Sequence, residues 1–318
     1  MTRYLTEQDV KQLLTMPMAV ELVEEALRAR AEGRATDTPR VRNRNPEGTL
    51  HILQASARDL NRIGFKAYYS IPGSTGYHVH LYDMKVGAHV AMVEASYLGM
   101  QRTGAASGVA TKYLAPNASV VAMLGAGKQA VGQLEAVCEV CKVSEVRVWS
   151  RKPETSAKFI DQLSGKLGVP MRAVNDPARA VAGAHVINVI TKAAEPVLKG
   201  EWLEPGQHIN AAGSNSLIRR ELDLAAVKRC NYIVVDSRGT ARNECGDLLP
   251  AVEGGLADWD QLTELGEVIV GRAPRRTSPH QITLYESHGM GIQDLYVADA
   301  LVDLSRERSV GVDLPISR

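Results

Sequence analysis

The chain has little of what membrane, secreted and nucleic-acid-binding proteins need. No apolar run reaches the roughly 18 residues of a membrane helix, and the opening Met-Thr-Arg-Tyr-Leu-Thr-Glu lacks the apolar core of a signal peptide. The formal net charge of +1 gives no broad attraction to nucleic acid or to a membrane surface. We therefore expect a cytoplasmic protein that binds small molecules, and neither nucleic acid nor membranes.

Cysteine is scarce as well. The four cysteines do not have the spacing of a disulfide framework. Cys138 and Cys141 form a Cys-x-x-Cys pair, but it falls inside a predicted helix and no second pair follows. We interpret both as packing residues, with a redox or metal-binding role as the alternative. His78 and His80 would share a strand face without an apparent third ligand, so no metal site is predicted.

The length of 318 residues is long for one domain and predicts two. Before Pro116 the chain has helical patterns, the first from Leu5 to Gly33 with Thr6 as its cap, and five short strands with tight turns, which favour an α+β domain. From Ser119 strands and helices alternate, which favours a doubly wound parallel sheet. The predicted strands include Glu145–Trp149, His208–Ala211 and Tyr232–Val235. The amphipathic helix Ile292–Arg306 is expected to return to the first domain. We predict one domain over 1–117 plus 290–318 and a second over 118–289.

A glycine-rich turn marks the start of the second domain. The apolar run Val120–Leu124 suits a buried parallel strand, and Gly125-x-Gly127-x-x-Ala130 then opens a helix. Gly125 permits the tight turn, Gly127 lets the backbone approach a pyrophosphate, and Ala130 lets the helix pack closely on the strand. The N–H groups and dipole of the helix favour an anion there. The pattern predicts a dinucleotide site, with a tight turn that binds nothing as the alternative.

Polar residues follow several later strands of the predicted parallel sheet. They are Thr191, Asn210 and the run Gly213-Ser214-Asn215. Each alone suits a helix cap. Their recurrence at the carboxyl ends of strands indicates a cofactor crevice.

Basic residues mark a second candidate site in the first domain. If Pro39–Arg44 is extended, alternation places Arg40, Arg42 and Arg44 on one face, and a solvated strand face is the alternative. Lys66 lies in a strand among apolar and aromatic neighbours. Such a lysine either reaches solvent or serves a site.

Five sequence segments together resemble the ornithine cyclodeaminase and mu-crystallin proteins. They are Gly64-Phe65-Lys66, Arg102-Thr103-Gly104-Ala105 with Ala110–Leu114 after it, Gly125–Ala130, Ile209–Gly213, and Ser287–Asp294. The likeness spans nearly the whole chain in the family's order. It implies a Rossmann domain inserted in an α+β substrate and dimerisation domain, a homodimer, and nicotinamide-dependent chemistry on amino acids and their imines.

The resemblance also implies roles for individual residues. Arg40 and Lys66 correspond to groups that bind the substrate carboxylate, and Lys66 corresponds to the proton donor or acceptor. Cofactor contacts are implied for Arg102 and Thr103 at the phosphates, for Gly125, Gly127, Lys128, Gln129, Thr191 and the turn from Ala212 to Asn215, and for Ser287 with His288 near the nicotinamide.

Two departures from the cyclodeaminases indicate a different substrate. Asn215 stands where they carry an aspartate, and an amide cannot take a proton as that carboxylate would. His51 stands where they carry a glutamate suited to a distal ammonium, and a histidine near arginines suits an anion instead. We expect a substrate without a distal amine and with a second carboxylate.

The cofactor end carries no acidic residue about 20 positions past the glycines, where NAD-preferring sites place one. Ser150, Arg151 and Lys152 stand there, and two cations suit a 2′-phosphate. A solvated loop is the alternative. NADPH is favoured, and NADH use stays open.

These observations predict reduction of an imine of a 2-oxo acid to an L-amino acid, with iminosuccinate as a candidate. Two alternatives remain. One is redox-neutral cyclodeamination with tightly held NAD. The other is a non-catalytic ligand-binding protein of the mu-crystallin kind.

Overall fold

The computed structural model describes residues 1–316. Its helices are α1 (Glu7–Leu13), α2 (Met16–Ala31), α3 (Ser96–Leu114), α4 (Lys128–Val140), α5 (Pro153–Leu167), α6 (Pro177–Val181), α7 (Leu224–Arg229), α8 (Arg238–Glu244), α9 (Leu249–Glu253), α10 (Leu265–Ile269) and α11 (Gly291–Glu307). Its strands are β1 (Thr2–Leu5), β2 (Ala35–Asp37), β3 (Val41–Asn45), β4 (Gly48–Ala57), β5 (Arg62–Ile71), β6 (Ser74–Asp83), β7 (His89–Glu94), β8 (Val120–Leu124), β9 (Glu145–Trp149), β10 (Met171–Ala173), β11 (Val186–Val189), β12 (His208–Ala211), β13 (Tyr232–Val235), β14 (Thr263–Glu264), β15 (Thr283–Glu286) and β16 (Val312–Leu314).

The chain divides into two compact units. The first unit comprises Met1–Arg102 with Gly289–Arg318, and the second unit comprises Thr103–His288. The first junction therefore falls inside α3, before the predicted limit at 117. Gly104 and Gly108 give the reason. A Cβ on Gly104 would lie 2.0 Å from the carbonyl oxygen of Gly132 in α4, so this part of α3 packs backbone to backbone within the second unit.

The first unit is built on an eight-stranded sheet in the order β16-β1-β7-β6-β5-β4-β2, with β3 on β4. From β4 to β7 it is an antiparallel meander. On one face, α2 and α11 bury their apolar stripes, among them Val23, Leu27, Leu295 and Leu301. The opposite face of the meander is open within the described unit and exposes Leu50 and other large apolar side chains.

The beginning of the first unit differs from the helical region predicted from Leu5 to Gly33. Thr6 is the predicted cap, and its side chain forms a capping box with Asp9. The helix stops at Leu13, however, and α2 starts anew with Pro17 in its first turn. Proline has no N–H to donate to the preceding turn and fits best where a helix begins, so two helices form.

The second unit is built on an eight-stranded sheet in the order β10-β9-β8-β11-β12-β15-β13-β14. All seven strand pairs are parallel. The order runs one way from β8 to β10 and the other way from β8 to β12, which makes the β8–β11 junction a topological switch point. Open sheets of this kind bind ligands beyond the carboxyl ends of the strands at that junction.

No helix within residues 1–316 is both long enough and apolar enough to cross a membrane.

Candidate functional site

The glycine turn after β8 has the geometry of a phosphate cradle. Gly125 has φ of +112°, and a Cβ there would lie 2.3 Å from the carbonyl oxygen of Ile190 beyond β11. Only glycine fits this position without moving the backbone. A Cβ on Gly127 would instead meet nothing within 4 Å, so the backbone at Gly127 is open to a ligand.

The helix that follows offers its amino end to the same space. Gly127 is the N-cap of α4, and a glycine has no side chain with which to cap the first turn. Lys128 and Gln129 are the first two residues of this turn, and both are exposed. A pyrophosphate can accept hydrogen bonds from the N–H groups at the start of a helix and from an adjacent lysine. The positive end of the helix dipole also favours its negative charge. The turn therefore fits the dinucleotide that the sequence predicts.

The structure places most of the predicted cofactor residues at one edge of the second unit. Gly125 follows β8, Ser150 follows β9, Thr191 lies beyond β11, Ala212 follows β12 and Ser287 follows β15. Because parallel strands end at a common edge, these positions surround the switch point. Their contacts with a cofactor remain a prediction.

The turn after β9 carries the predicted cationic pair. The Ser150 hydroxyl lies 2.7 Å from the carbonyl oxygen of Lys152 and 2.7 Å from the Ser156 hydroxyl, which fixes the turn. Arg151 and Lys152 are both exposed basic side chains. The turn itself, Ser150-Arg151-Lys152, contains no carboxylate that would repel a 2′-phosphate.

A buried carboxyl that sequence reasoning missed lies behind Thr191. Glu221 is 1% exposed, and its Oε1 accepts hydrogen bonds from the Thr191 N–H at 2.6 Å and from the Thr191 hydroxyl at 2.5 Å. In the sequence, Glu221 is followed by Leu-Asp-Leu, and this local pattern does not indicate that the glutamate is buried.

Ser287 and His288 follow β15 and are both buried, at 3% and 5% exposure. The His288 backbone N–H donates to Asp236 Oδ2 at 2.6 Å, and its ring lies 3.5 Å from Asp236 Oδ1 and 4.0 Å from Glu286 Oε2. The imidazole is therefore embedded between two carboxyl groups of the second unit. Its predicted approach to the nicotinamide remains a prediction.

Cys245, Glu286 and His288 bring three possible metal ligands within 4.8 Å of one another. Burial raises the pKa of the Glu286 carboxyl and of the Cys245 thiol well above their usual values. A raised pKa favours the protonated carboxyl and thiol, whereas metal ligands must give up their protons. We assign no metal to this group.

The predicted substrate residues lie in the first unit, where Lys66 is organised by a carboxylate on α11. Lys66 is 3% exposed on the face of β5 that α11 covers. Its Nζ donates to Asp294 Oδ1 at 2.8 Å and lies 2.7 Å from Oδ2. Arg102 Nε donates to the same Oδ1 at 2.9 Å, and Arg102 Nη1 donates to Gln293 at 3.2 Å. Asp294 thus holds two cations side by side.

This grouping changes the protonation behaviour of the lysine. Burial, followed by the repulsion of Arg102, lowers the pKa of Lys66 to about 7, while Asp294 opposes the change. A lysine with this pKa can donate a proton as the ammonium or accept one as the amine at neutral pH. The structure also places Arg102, predicted as a phosphate contact, next to the predicted catalytic lysine.

Arg40 and His51 complete the predicted substrate set. Arg40 is 9% exposed, and its guanidinium carbon lies 6.0 Å from the centre of the Tyr68 ring. His51 stacks on the same Tyr68 ring, with the two ring centroids 4.2 Å apart. Burial and the nearby Arg42, Arg40 and Arg44 lower the pKa of His51 to about 4. His51 is therefore neutral at pH 7 and offers a hydrogen bond, not the charge that an imidazolium would supply.

A doubly wound sheet with a phosphate-binding turn, in one chain with a buried Lys–Asp–Arg group, is typical of dinucleotide-dependent enzymes. The chain matches the model of the ornithine cyclodeaminase/mu-crystallin family over residues 1–309. It belongs to that family.

Individual relatives agree with this assignment. A Delta(1)-pyrroline-2-carboxylate reductase of Bacillus cereus is 35% identical over 276 residues, which cover 84% of this chain and 85% of that protein. An archaeal alanine dehydrogenase dimer with bound NAD is 32% identical, with a TM-score of 0.93 over 99% of each chain. The iminosuccinate reductase of Paracoccus denitrificans in complex with NAD⁺ is 30% identical, again with a TM-score of 0.93 over 99% of each chain.

The predicted family, the Rossmann-type fold class and a nicotinamide-dependent oxidoreductase of imines or amino acids are thereby confirmed. Asp294 and Glu221 are the additions that the structure makes.

Proposed function

We propose that the protein reduces the imine of a 2-oxo acid to an L-amino acid with a reduced nicotinamide cofactor. The observation that carries this proposal is the buried group of Lys66, Asp294 and Arg102. When Lys66 is protonated, two cations on one carboxylate leave a net positive charge in a place where burial makes unpaired charge costly. A bound substrate carboxylate would neutralise that charge.

The first unit supplies the groups that would bind the substrate. Arg40 and Arg102 are permanently charged, and a guanidinium can hold a carboxylate through two parallel hydrogen bonds. Lys66 adds a point charge. Together they would fix the carboxylate next to the reacting carbon, which restricts the orientation of the imine.

The proton would be controlled by Lys66. A protonated imine nitrogen makes the adjacent carbon electrophilic, so the site must keep a proton there while the carbon accepts a hydride. The pKa of Lys66, about 7, suits a group that donates a proton to the imine nitrogen and is then reprotonated from solvent. The bound nicotinamide supplies the hydride.

A second carboxylate on the substrate is favoured by the β3–β4 pair. Arg42 lies opposite His51 in the ladder, and Arg44 follows on the same face of β3. Their charges, with the neutral His51 as a hydrogen-bond donor, suit a distal carboxylate better than a distal ammonium. A dicarboxylic imine such as iminosuccinate is the substrate that we propose.

We propose NADPH as the preferred cofactor because Arg151 and Lys152 are exposed in the turn after β9, where an acidic residue would select NAD. The preference rests on charge alone, and NADH would bind through the same turn of β8.

We propose that the protein forms a homodimer through the open face of its first sheet. Leu50, Ile63 and Ile71 are 44%, 48% and 49% exposed on this face. A cavity of about 620 Å³ on the same face is lined by Ile52, Ile63, Phe65 and neighbouring residues. Apolar patches of this kind are typical of interfaces, and a second copy would cover them.

The experiment follows the oxidation of NADPH and of NADH by the purified protein with pyruvate, glyoxylate or oxaloacetate, each with and without ammonia, and with cyclic ketimines. Turnover with oxaloacetate that requires ammonia is the expected result. Turnover of cyclic imines alone would replace the dicarboxylic substrate. The proposal would be overturned in favour of cyclodeamination if the protein reduced none of the imines and formed proline from ornithine with no net change in cofactor.

A further inference from the structure

A single carboxyl lies between two turns at the carboxyl edge of the second sheet. Glu221 Oε1 accepts from both the N–H and the hydroxyl of Thr191, in the turn after β11. Gly213, in the turn after β12, lies against the other oxygen, since a Cβ there would be 2.2 Å from Oε2. Among the described residues, Oε2 accepts no hydrogen bond, and the nearby Gly213 amide acts on the carboxyl by favouring its ionised form.

The carboxyl is itself held in place. Asp247, which lies between α8 and α9 and is 1% exposed, accepts from the N–H of Glu221 at 2.6 Å and from the N–H of Leu222 at 2.8 Å. The Thr191 hydroxyl in turn accepts from the Ala193 N–H at 3.1 Å. A chain of hydrogen bonds therefore links Asp247, Glu221 and the loop after β11.

We propose that Glu221 is a positioning residue for the nicotinamide cofactor, whose carboxylate ties the turn at Thr191 to the turn at Gly213. This inference rests on the proposed function, because the two turns carry the implied cofactor contacts Thr191, Ala212 and Asn215. A buried carboxylate is an expensive way to brace a loop, since an amide or an apolar side chain would avoid its desolvation. The two Thr191 donors that converge on Oε1 offset part of that cost.

The tie depends on the charge of Glu221. Burial, with repulsion from Asp247, raises the pKa of Glu221 to about 7, and the Thr191 and Gly213 donors oppose the shift. Glu221 in turn raises the pKa of Glu286 in β15, and His288 and Arg220 lower the pKa of Asp247. The ionised carboxylate is the stronger acceptor. Cofactor affinity should therefore rise as pH increases through about 7.

The test measures the Kd for NADPH and for NADH without substrate, across neutral pH. We expect Glu221→Gln to weaken binding about tenfold above neutrality, because a hydrogen bond to a charged acceptor contributes more than one to a neutral acceptor. The same variant should lose the pH step, whereas Glu221→Asp should keep it. Glu204→Gln is the matched control, since Glu204 is an exposed carboxylate that accepts from the Gly183 N–H.

The pKa of Lys66 is also about 7, so the Kd for the cofactor is measured across the same pH range in Lys66→Met. We expect this variant to keep the change of Kd near neutral pH. A second readout needs no cofactor: amide hydrogen exchange at 190–193 and 212–216 should accelerate in Glu221→Gln. If that variant does not fold, Thr191→Val, which removes one donor, should show a smaller loss of affinity.

A Glu221→Gln protein that binds cofactor as the wild type does, with the same pH step, would overturn the inference alone. A wild-type protein that binds neither cofactor would overturn the inference and the proposed function together. Weakened binding with unchanged exchange in both turns would also contradict the positioning role.

Discussion

Lys66 on β5 and Asp294 on α11 are 228 positions apart in the chain, and the lysine Nζ lies 2.8 Å from the aspartate Oδ1. The pair is buried to within a few per cent and includes Arg102 as a second cation. It places a lysine with a lowered pKa beside permanently charged guanidinium groups. The catalytic predictions follow from this arrangement.

Replacing Lys66 by methionine should abolish imine reduction while it leaves cofactor binding in place. The substitution keeps most of the length of the side chain but removes the ammonium that pairs with carboxylates and the proton that it carries. General acid–base groups typically contribute about a hundred- to ten-thousandfold in rate, so kcat/KM should fall by at least that lower figure. Steady-state kinetics and cofactor titration measure the two effects, with the exposed Lys158→Met as control. Full turnover in Lys66→Met would remove the assignment.

Replacing Asp294 by asparagine should destabilise the first unit and shift its pH dependence. Breaking one partner of a buried ion pair costs about 3 kcal/mol or more. Asp294 raises the pKa of Lys66, so its loss should lower that pKa below about 7. Activity that requires the protonated lysine should then fall at a lower pH than in the wild type.

Denaturant unfolding and the pH profile of kcat/KM measure these two effects of Asp294→Asn. Asp303→Asn on the same helix is the control, because its ion pair with Arg306 is exposed. An unchanged pH profile would show that Lys66 does not govern the pH dependence.

The elements that local sequence could predict are those of the second sheet. Strands β9, β12 and β13 fall where predicted, because each apolar run is bounded by glycine, asparagine or charged residues. Strand β1 was missed. Its residues Thr2–Leu5 pair with β7 and with Val312–Leu314, so the signal lies far away in the chain.

The candidate site likewise contains some residues that the sequence could predict and others that it could not. The glycine turn and Lys66 stand in recognisable local contexts, and both could be named from the sequence. Asp294 and Glu221 could not, because a carboxylate in a helix or a loop is ordinarily solvated. Their burial arises only when α11 meets β5 and when the segment before α7 passes beneath Thr191.

Replacing His51 by glutamate should select against dicarboxylic imines. The new carboxylate would face the distal carboxylate of the substrate and pair with Arg42 across the ladder. We expect KM for a dicarboxylic imine to rise about tenfold or more, with a smaller change for a monocarboxylic one, since repulsion between like charges costs more than one lost hydrogen bond. The exposed His280→Glu is the control. Equal effects on both substrates would count against a second-carboxylate site at His51.

Removing the two cations after β9 should reduce the preference for NADPH. In an Arg151→Ala, Lys152→Ala double variant, we expect the ratio of kcat/KM for NADPH over NADH to fall about tenfold, because charge-assisted contacts to the 2′-phosphate are lost. The loss should shrink as salt increases. Lys142→Ala, which removes another exposed lysine of the second unit, should leave the ratio unchanged. A ratio unaffected by the double change would place the cofactor selection elsewhere.

Charging the open face of the first sheet should prevent self-association. Leu50→Arg places a cation in the apolar surface that a second copy would cover. Light scattering during size exclusion should show a dimer for the wild type and a monomer for this variant. The control is Leu256→Arg, at a 56% exposed leucine of the second unit. A wild-type monomer would refute the proposed dimer, and a dimeric Leu50→Arg would show that another surface forms it.

The most direct measurement of the central claim is the fate of a deuterium label carried on the reduced cofactor. The protein would be incubated with oxaloacetate, ammonia and deuterated NADPH or NADH, and the product would be analysed by mass spectrometry and NMR. We predict aspartate with one deuterium at Cα for each cofactor oxidised, and no such product from Lys66→Met. Deuterated malate would show reduction of the carbonyl in place of the imine, and an absence of label transfer to any of the imines tested would contradict the account.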